Sequence, residues 1–388
     1  MKKKKLNIKK IIILLLFIIL LLIILNIPKK KEKKELNNSE IKEEKEQSIT
    51  LAMVGDALIN DNLYNDAKKD NSYDFKPYLK LIKEKIKDYD LAYYNQETIL
   101  GGSSIGLSSY PAFNSPWEVG DAMIDTGFNI VSLATNHTMD RGEEAILLSR
   151  EYWNKQNNIY SIGSYSSYEE KENIENKIYE KNGIKYAILN YTYGTNGIKV
   201  PTNKTYLVNL WENNNDNYKQ TVINDIKRLR NKVDILMVAM HWGIEYTHTP
   251  TTLQKETAKF LSDNGVDIII GTHPHVIEPV EFINNTLVIY SLGNFISAQT
   301  SDSCTNYKCN IGLLTTLKIT KKDNNIVIDN IENELLYTYH NNYKDYLVIP
   351  FSNNEIKTHL SNYKEVYNNY SNIISSNDNR INIVSFSN

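Results

Sequence analysis

Residues 266–275 read Val-Asp-Ile-Ile-Ile-Gly-Thr-His-Pro-His. An apolar, β-branched run of strand length that ends in two histidines one residue apart predicts a buried strand with metal-type ligands at its carboxyl tip. Alternation along an extended segment would aim both rings the same way, and Pro274 favours an extended His273. Four more runs end alike: residues 49–54 lead to Gly55-Asp56, 90–94 to Asn95-Gln96-Glu97, 130–134 to Asn136-His137, and 233–240 to His241. Such runs alternate with longer amphipathic stretches, which is the pattern of an α/β fold. Ligands of α/β sheets bind in the crevice at the carboxyl ends of the strands, so these tips are expected to share one rim.

Asp56, Glu97, Asn136, His241, His273 and His275 form a mixed nitrogen and oxygen donor set, suited to Zn, Mn or Fe rather than calcium. Two divalent ions fit the set better than one. A pair roughly 3.5–4 Å apart activates water and clamps the oxygens of a phosphate ester, and it needs a shared carboxylate, a role open to Glu97. Asn136 and His137 divide into a metal-binding amide and a proton donor outside the coordination sphere, with Asp140 near enough to orient the ring. Each residue also has a plainer reading. Asp56 suits a helix cap or turn, His241 a satisfied core histidine, and Asn136-His137 a polar turn before a helix near Gly142. Glu245 reads equally as a residue behind the ligands or as plain surface, and His248, His340 and His359 show no partner pattern.

Along its 388 residues the chain has 44 basic and 46 acidic side chains. Residues 1–34 hold 11 Lys and one Glu, so this segment carries +10 and the remainder −12. A basic start on an acidic body argues against nucleic acid as the main partner. The basic charge flanks an apolar run at 11–25, which reads as a membrane anchor; no small-x-small cleavage pattern follows it. The domain organisation expected is a cytoplasmic basic tail at 1–10, a transmembrane signal anchor at 11–27 and a flexible linker at 28–48. One large domain follows at 49–335, on the outer side of the membrane, with a peripheral extension of helix and loop at 336–388. The Asn-rich segments at 212–217 and 371–379 read as loops. Cys304 and Cys309, the only cysteines, suit a small loop-closing disulfide in an oxidising compartment.

Several motifs together resemble the CapA family of poly-γ-glutamate capsule biosynthesis proteins: MVGD at 53–56, NQE at 95–97, SLATNHTMD at 132–140, HWGIEY at 241–246, GTHPHVIEPVE at 271–281 and YSLGNFI at 290–296. The resemblance covers about residues 49–320. It implies a branch of the calcineurin-like metallophosphoesterases, hence an α/β four-layer αββα sandwich preceded by one transmembrane helix. By the same resemblance Asp56 would bind the first of two divalent ions and Glu97 would bridge. Asn136, His241 and His273 would complete the second site, His275 would return to the first, and His137 with Asp140 would be catalytic. Glu245, Glu281 and Asn294 would lie at the rim or behind the ligands. The superfamily usually places a histidine two residues after the first aspartate, where this chain has Leu58, so the first site is one ligand short. The function implied is synthesis, export or attachment of an anionic polymer beside a membrane-bound synthase. The protein would act as a hydrolase on a phosphate-bearing or polymeric substrate, or alternatively as a non-catalytic metal-centred binding or scaffold subunit.

Overall fold

The computed structural model describes residues 8–26, 47–211, 216–299, 304, 308–322 and 325–386. Met1–Glu44 and Lys45–Asn388 are separate compact units. In the first, helix α1 (Ile8–Leu25) has a mean hydropathy of 3.2 and is long and apolar enough to cross a membrane. The helix begins before position 11, because nothing in Lys9-Lys10 opposes a helical backbone. Nearly all of the expected linker and most of the basic tail lie outside the described residues. Gln47 and Ser48, which the sequence assigned to the linker, instead pair with Lys321 and Thr320 in a strand.

Two large sheets, with a small two-stranded one at Lys68–Lys69 and Ser72–Tyr73, form the second unit among the described residues. The larger is nine-stranded and contains, in chain order, β1 (Gln47–Leu58), β2 (Leu91–Gln96), β3 (Ile130–Ser132) and β4 (Tyr160–Ile162). The six-stranded sheet follows with β5 (Tyr179–Lys181), β6 (Ile184–Thr192), β7 (Ile235–His241), β8 (Ile268–Thr272), β9 (Val280–Ile283) and β10 (Thr286–Ile289). The chain then returns to the larger sheet with β11 (Asn294–Ser297), β12 (Ile311–Lys322), β13 (Asn325–Asn341), β14 (Lys344–Pro350) and β15 (Asn382–Ile383). Strand order is β14-β13-β12-β1-β2-β3-β4 in the first sheet and β9-β10-β8-β7-β6-β5 in the second.

Period-two alternation makes the layers. Leu51 and Met53 of β1 and Leu91 and Tyr93 of β2 share a core with Tyr186, Ile188, Ile235, Met237, Ile268 and Ile270 of the other sheet. The intervening residues Ala52, Val54, Ala92 and Tyr94 face the other way, onto helices α2 (Lys80–Ile86), α3 (Glu118–Thr126) and α4 (Gly142–Asn154). In the second sheet Leu189, Leu236, Val238 and Ile269 pack in the same fashion on helices α5 (Asp216–Arg230) and α6 (Thr252–Asp263). The result is helix, sheet, sheet, helix, with each fully buried aliphatic side chain worth about 1.5–3 kcal/mol.

The sheet runs unbroken through position 335, where the sequence placed the start of a peripheral extension. β13 crosses that boundary, and Tyr337, Ile349, Phe351, Ile356, Leu360 and Ile374 join the core between the sheets. Residues 371–374, expected in a loop, end helix α7 (Tyr363–Ile374), whose Val366, Tyr370 and Ile374 are buried. Tertiary burial of one face overrides the weak propensity of its asparagines. Cys304 and Cys309, which sequence left open, form a disulfide.

One close approach positions the site. A Cβ on Gly55 would lie 1.8 Å from the Gly293 carbonyl oxygen. That oxygen accepts the Asp56 N–H at 3.0 Å, and Asp56 is the register partner of Asn294 on β11. Only glycine lets the two backbones meet there.

Behind the rim, Glu278 is fully buried; one carboxyl oxygen accepts from Gln254 Nε2 at 2.6 Å and the other has no partner. Burial outweighs the Gln254 hydrogen bond and pushes its carboxyl up to about 8. A folded-state value above the unfolded one means that the folded chain holds a proton the unfolded chain has lost. Stability is therefore forfeited as pH rises from about 4.5 to 8, on the order of 5 kcal/mol in all. Glu278→Gln keeps the acceptor and removes the ionisation. We expect the variant to melt above wild type at pH 8 and level with it at pH 4.5; equal melting at pH 8 would contradict this.

Candidate metal centre

Five strand ends meet at one rim. Asp56 lies near the end of β1, Glu97 directly follows β2, and Asn136 and His137 occupy the turn after β3. His241 is the last residue of β7, and His273 and His275 follow β8. Asp56, Glu97 and His241 are 0% exposed, and none of the others exceeds 6%.

A chain of hydrogen bonds holds Asp56 from beneath. The Tyr93 hydroxyl and Ser132 Oγ are 2.7 Å apart, Ser132 donates to Asn95 Oδ1 at 2.6 Å, and Asn95 Nδ2 donates to Asp56 Oδ1 at 2.8 Å. Asp56 Oδ2 accepts the His273 backbone N–H at 3.2 Å.

Glu97 has no such support: neither carboxylate oxygen has a hydrogen-bond partner. Its Oε1 faces His241 Nε2 at 3.7 Å, and that nitrogen is 2.8 Å from Asn136 Oδ1. Its Oε2 faces His275 Nδ1 at 3.6 Å, which lies 3.5 Å from Asp56 Oδ2. One oxygen thus looks toward Asn136 and His241, the other toward Asp56 and His275, the disposition of a carboxylate shared between two sites. His273 Nδ1 is likewise buried without a partner, and ligand atoms of Glu97, His273 and His275 lie within 4.8 Å of one another. Leaving such groups unpaired in the interior costs several kcal/mol, a cost that a divalent cation removes. The residues fit a metal. His241 Nδ1 sits 3.0 Å from Thr272 Oγ1 and His275 Nδ1 3.0 Å from Asn294 Oδ1. Engaging Nδ1 in this way leaves Nε2 of each ring free to ligate.

The electrostatics agree with this chemistry. Burial, reinforced by the neighbouring histidines, holds His241 and His273 well below the usual range, which keeps them in the neutral, ligating form. Burial drives the Glu97 carboxyl well up. For His275 burial pulls downward, but Glu97 and Asp56 together outweigh it and bring the ring up to about 9. The cluster draws positive charge inward.

Asp140 Oδ2 meets His137 Nδ1 at 2.7 Å and also accepts the Phe113 N–H at 2.8 Å. The Phe113 ring stands edge-on to the imidazole at 4.7 Å. With Nδ1 engaged, Nε2 is the nitrogen available to a ligand. His137 and His275 both line a cleft of about 610 Å³, with Leu58, Asp61, Phe113, Glu245 and Tyr246 among its other walls.

The turn at 273–275 forms in an unexpected way. His273 and His275 have φ of 98° and 60°, so the segment is not extended and simple alternation does not aim the rings. A left-handed turn brings the ring centroids within 5.9 Å. Such backbone costs on the order of 1–3 kcal/mol per residue and is over-determined here by the Asp56 and Tyr246 hydrogen bonds. Glu281, expected at the rim or behind the ligands, lies on β9 and accepts from the Tyr290 hydroxyl at 2.7 Å. Asn294 contacts the ring of His275 through its Oδ1. Glu245 is 42% exposed, with Oε1 4.0 Å from His275 Nε2.

Sequence reasoning missed several supports. Asn190 Oδ1 accepts the N–H groups of Leu133 and Ala134 at 3.1 and 2.7 Å, which shapes the turn carrying Asn136. Asn196, at φ 49°, accepts from Asn136 Nδ2 at 3.2 Å and places its own Nδ2 3.3 Å from His137 Nδ1. The Tyr193 ring packs 4.7 Å from His273. Solitary asparagines in an Asn-rich chain carry no pattern; only the position of Asn190 near the end of an apolar strand offered a signal.

The family model described as bacterial capsule synthesis protein PGA_cap matches residues 50–299. The PGA biosynthesis protein CapA of Bacillus subtilis (strain 168) is 34% identical over 177 residues, 45% of this chain and 44% of that protein. The capsule biosynthesis protein CapA of Bacillus anthracis is 27% identical over 273 residues, 67% of this chain and 62% of that protein. These matches span less than two thirds of either relative. Among solved structures, a phosphatase of Mycoplasma pneumoniae is similar at a TM-score of 0.46 and 14% identity, covering 77% of this chain and 96% of that one. The calcineurin-like phosphoesterase YfkN from Bacillus subtilis is similar at 0.41 and 15%, covering 83% and 99%.

Proposed function

Because the chain belongs to the bacterial capsule synthesis protein family PGA_cap, we propose that it serves the synthesis, export or attachment of an anionic surface polymer as a membrane-tethered, metal-dependent hydrolase. The polymer is of the poly-γ-glutamate type, in keeping with the names of the two Bacillus relatives. Helix α1 is the tether, the catalytic unit works on the outer face, and a membrane-bound polymer synthase is the natural partner. The observation that carries the reading is Glu97, whose two buried, unpaired oxygens face two separate groups of ligand-type side chains.

Asp56, Glu97 and His275 would hold one divalent ion, and Glu97, Asn136, His241 and His273 a second, with Mn, Zn or Fe suited to the donors. Bound there, the ions supply Lewis-acid activation of water and of the scissile phosphoryl or acyl group. The rest is done by the chain. Asp140 fixes the His137 tautomer and orientation, and His137 Nε2 delivers a proton to the leaving group from the cleft wall. Among the described residues no Lys or Arg lines that cleft, so attraction of an anionic substrate would rest on bound cations.

A catalyst needs the His137 proton, whereas a polymer-binding or scaffold subunit tolerates its loss. Surface-polymer output measured in cells carrying His137→Ala is expected to fall as far as with His273→Ala. Wild-type output from His137→Ala, alongside none from His273→Ala, would sink the hydrolase reading and leave the binder.

A further inference from the structure

We infer that Glu245 supplies the ligand that Leu58 withholds from the first metal position, a reading that rests on the metal centre proposed above. An aliphatic Leu58 offers no donor, which leaves Asp56, Glu97 and His275 as three protein ligands. Leu58, His275 and Glu245 line the same cleft. Asn294 engages His275 Nδ1, so Nε2 is the free nitrogen, and Glu245 Oε1 lies 4.0 Å from it. Two ligands of one tetrahedral ion sit roughly 3.3 Å apart when each bond is near 2.0–2.1 Å. Rotation of a half-exposed carboxylate closes the difference.

The backbone around Glu245 is built to hold it there. Gly243 has φ 94° and Tyr246 φ 63°, and the Tyr246 N–H donates to the Pro274 carbonyl at 2.8 Å. Gln299 Nε2 donates to the Tyr246 hydroxyl at 3.1 Å, and the Tyr246 ring lies 5.8 Å from His275. The loop after β7 is thus pinned to the turn that carries His275. The φ of 94° at Gly243 is one that L side chains rarely adopt, so the bend that starts this loop favours glycine.

The test counts metal rather than activity. Full-length chain in detergent is equilibrated with Mn²⁺, with bound ions quantified by atomic emission and free Mn²⁺ by electron paramagnetic resonance. Wild type is expected to take two ions. Glu245→Ala is expected to keep one and to weaken the other more than about 100-fold, beyond the 10–100-fold cost of losing a residue that only supports a ligand. Adding Leu58→His to Glu245→Ala is expected to restore the second ion, because a nitrogen donor then returns from the other side. Two ions at wild-type affinity in Glu245→Ala would overturn the assignment. So would a double variant that recovers nothing while its melting temperature matches wild type. A wild type that takes no ion fails the metal centre itself, a different result from either.

Discussion

Glu97→Gln is expected to unseat one of the two positions and to remove that ion's share of the thermal stabilisation that Mn²⁺ confers on the wild-type chain. Glutamine keeps the shape but offers one carbonyl oxygen and an amide NH₂, and an NH₂ group cannot ligate. The two Glu97 oxygens face different partners, Asn136 and His241 on one side and Asp56 and His275 on the other, so losing either oxygen unseats a position. At a metal concentration about a thousandfold above Kd, binding of one ion to the folded state stabilises it by about 4 kcal/mol, which the variant should lack. Melting of wild type and variant with and without Mn²⁺ reads this directly. An undiminished metal-dependent shift in Glu97→Gln would remove Glu97 from the centre.

Asp140→Asn is expected to lower turnover by roughly 10²–10⁴ while leaving bound metal unchanged, since general acid catalysis contributes about that much. The same Oδ2 lies 2.7 Å from His137 Nδ1 and accepts the Phe113 N–H, so the amide oxygen can keep both contacts while the negative charge that supports the protonated ring is removed. Because Asp140 acts through His137, combining Asp140→Asn with His137→Ala should cost little more than His137→Ala alone. A loss of metal in Asp140→Asn, or additive losses in the pair, would make it structural rather than a partner of the acid.

Much of the fold was legible because its strands are short, β-branched and apolar, and because each ends in a residue type that apolar cores rarely tolerate. Residues 49–54, 90–94, 130–134, 233–240 and 266–270 all fall within or closely overlap strands of the two sheets. The end of the domain was not legible. β13 reads Asn-Ile-Val-Ile-Asp-Asn-Ile-Glu-Asn-Glu-Leu-Leu-Tyr-Thr-Tyr-His-Asn; residues 325–328 alternate as a closing strand does, but only pairing with β12 and β14 shows that the strand runs on to Asn341. The turn at His273 was misread for a physical reason. Pro274 biases its predecessor toward extended backbone, and only the contacts to Asp56 and Tyr246, which come from distant sequence, impose the left-handed alternative. The same holds for Glu245, which sequence leaves undecided between surface and support. Its relation to His275 depends on how the loop after β7 is tied to the turn after β8.

Crystals of the full-length chain grown with Mn²⁺ and measured at the manganese absorption edge test the centre most directly. The expected result is two anomalous peaks, one on each side of the Glu97 carboxylate, the first also touching Asp56 and His275 and the second Asn136, His241 and His273. Manganese absent from both positions, or seated away from Glu97, would contradict it.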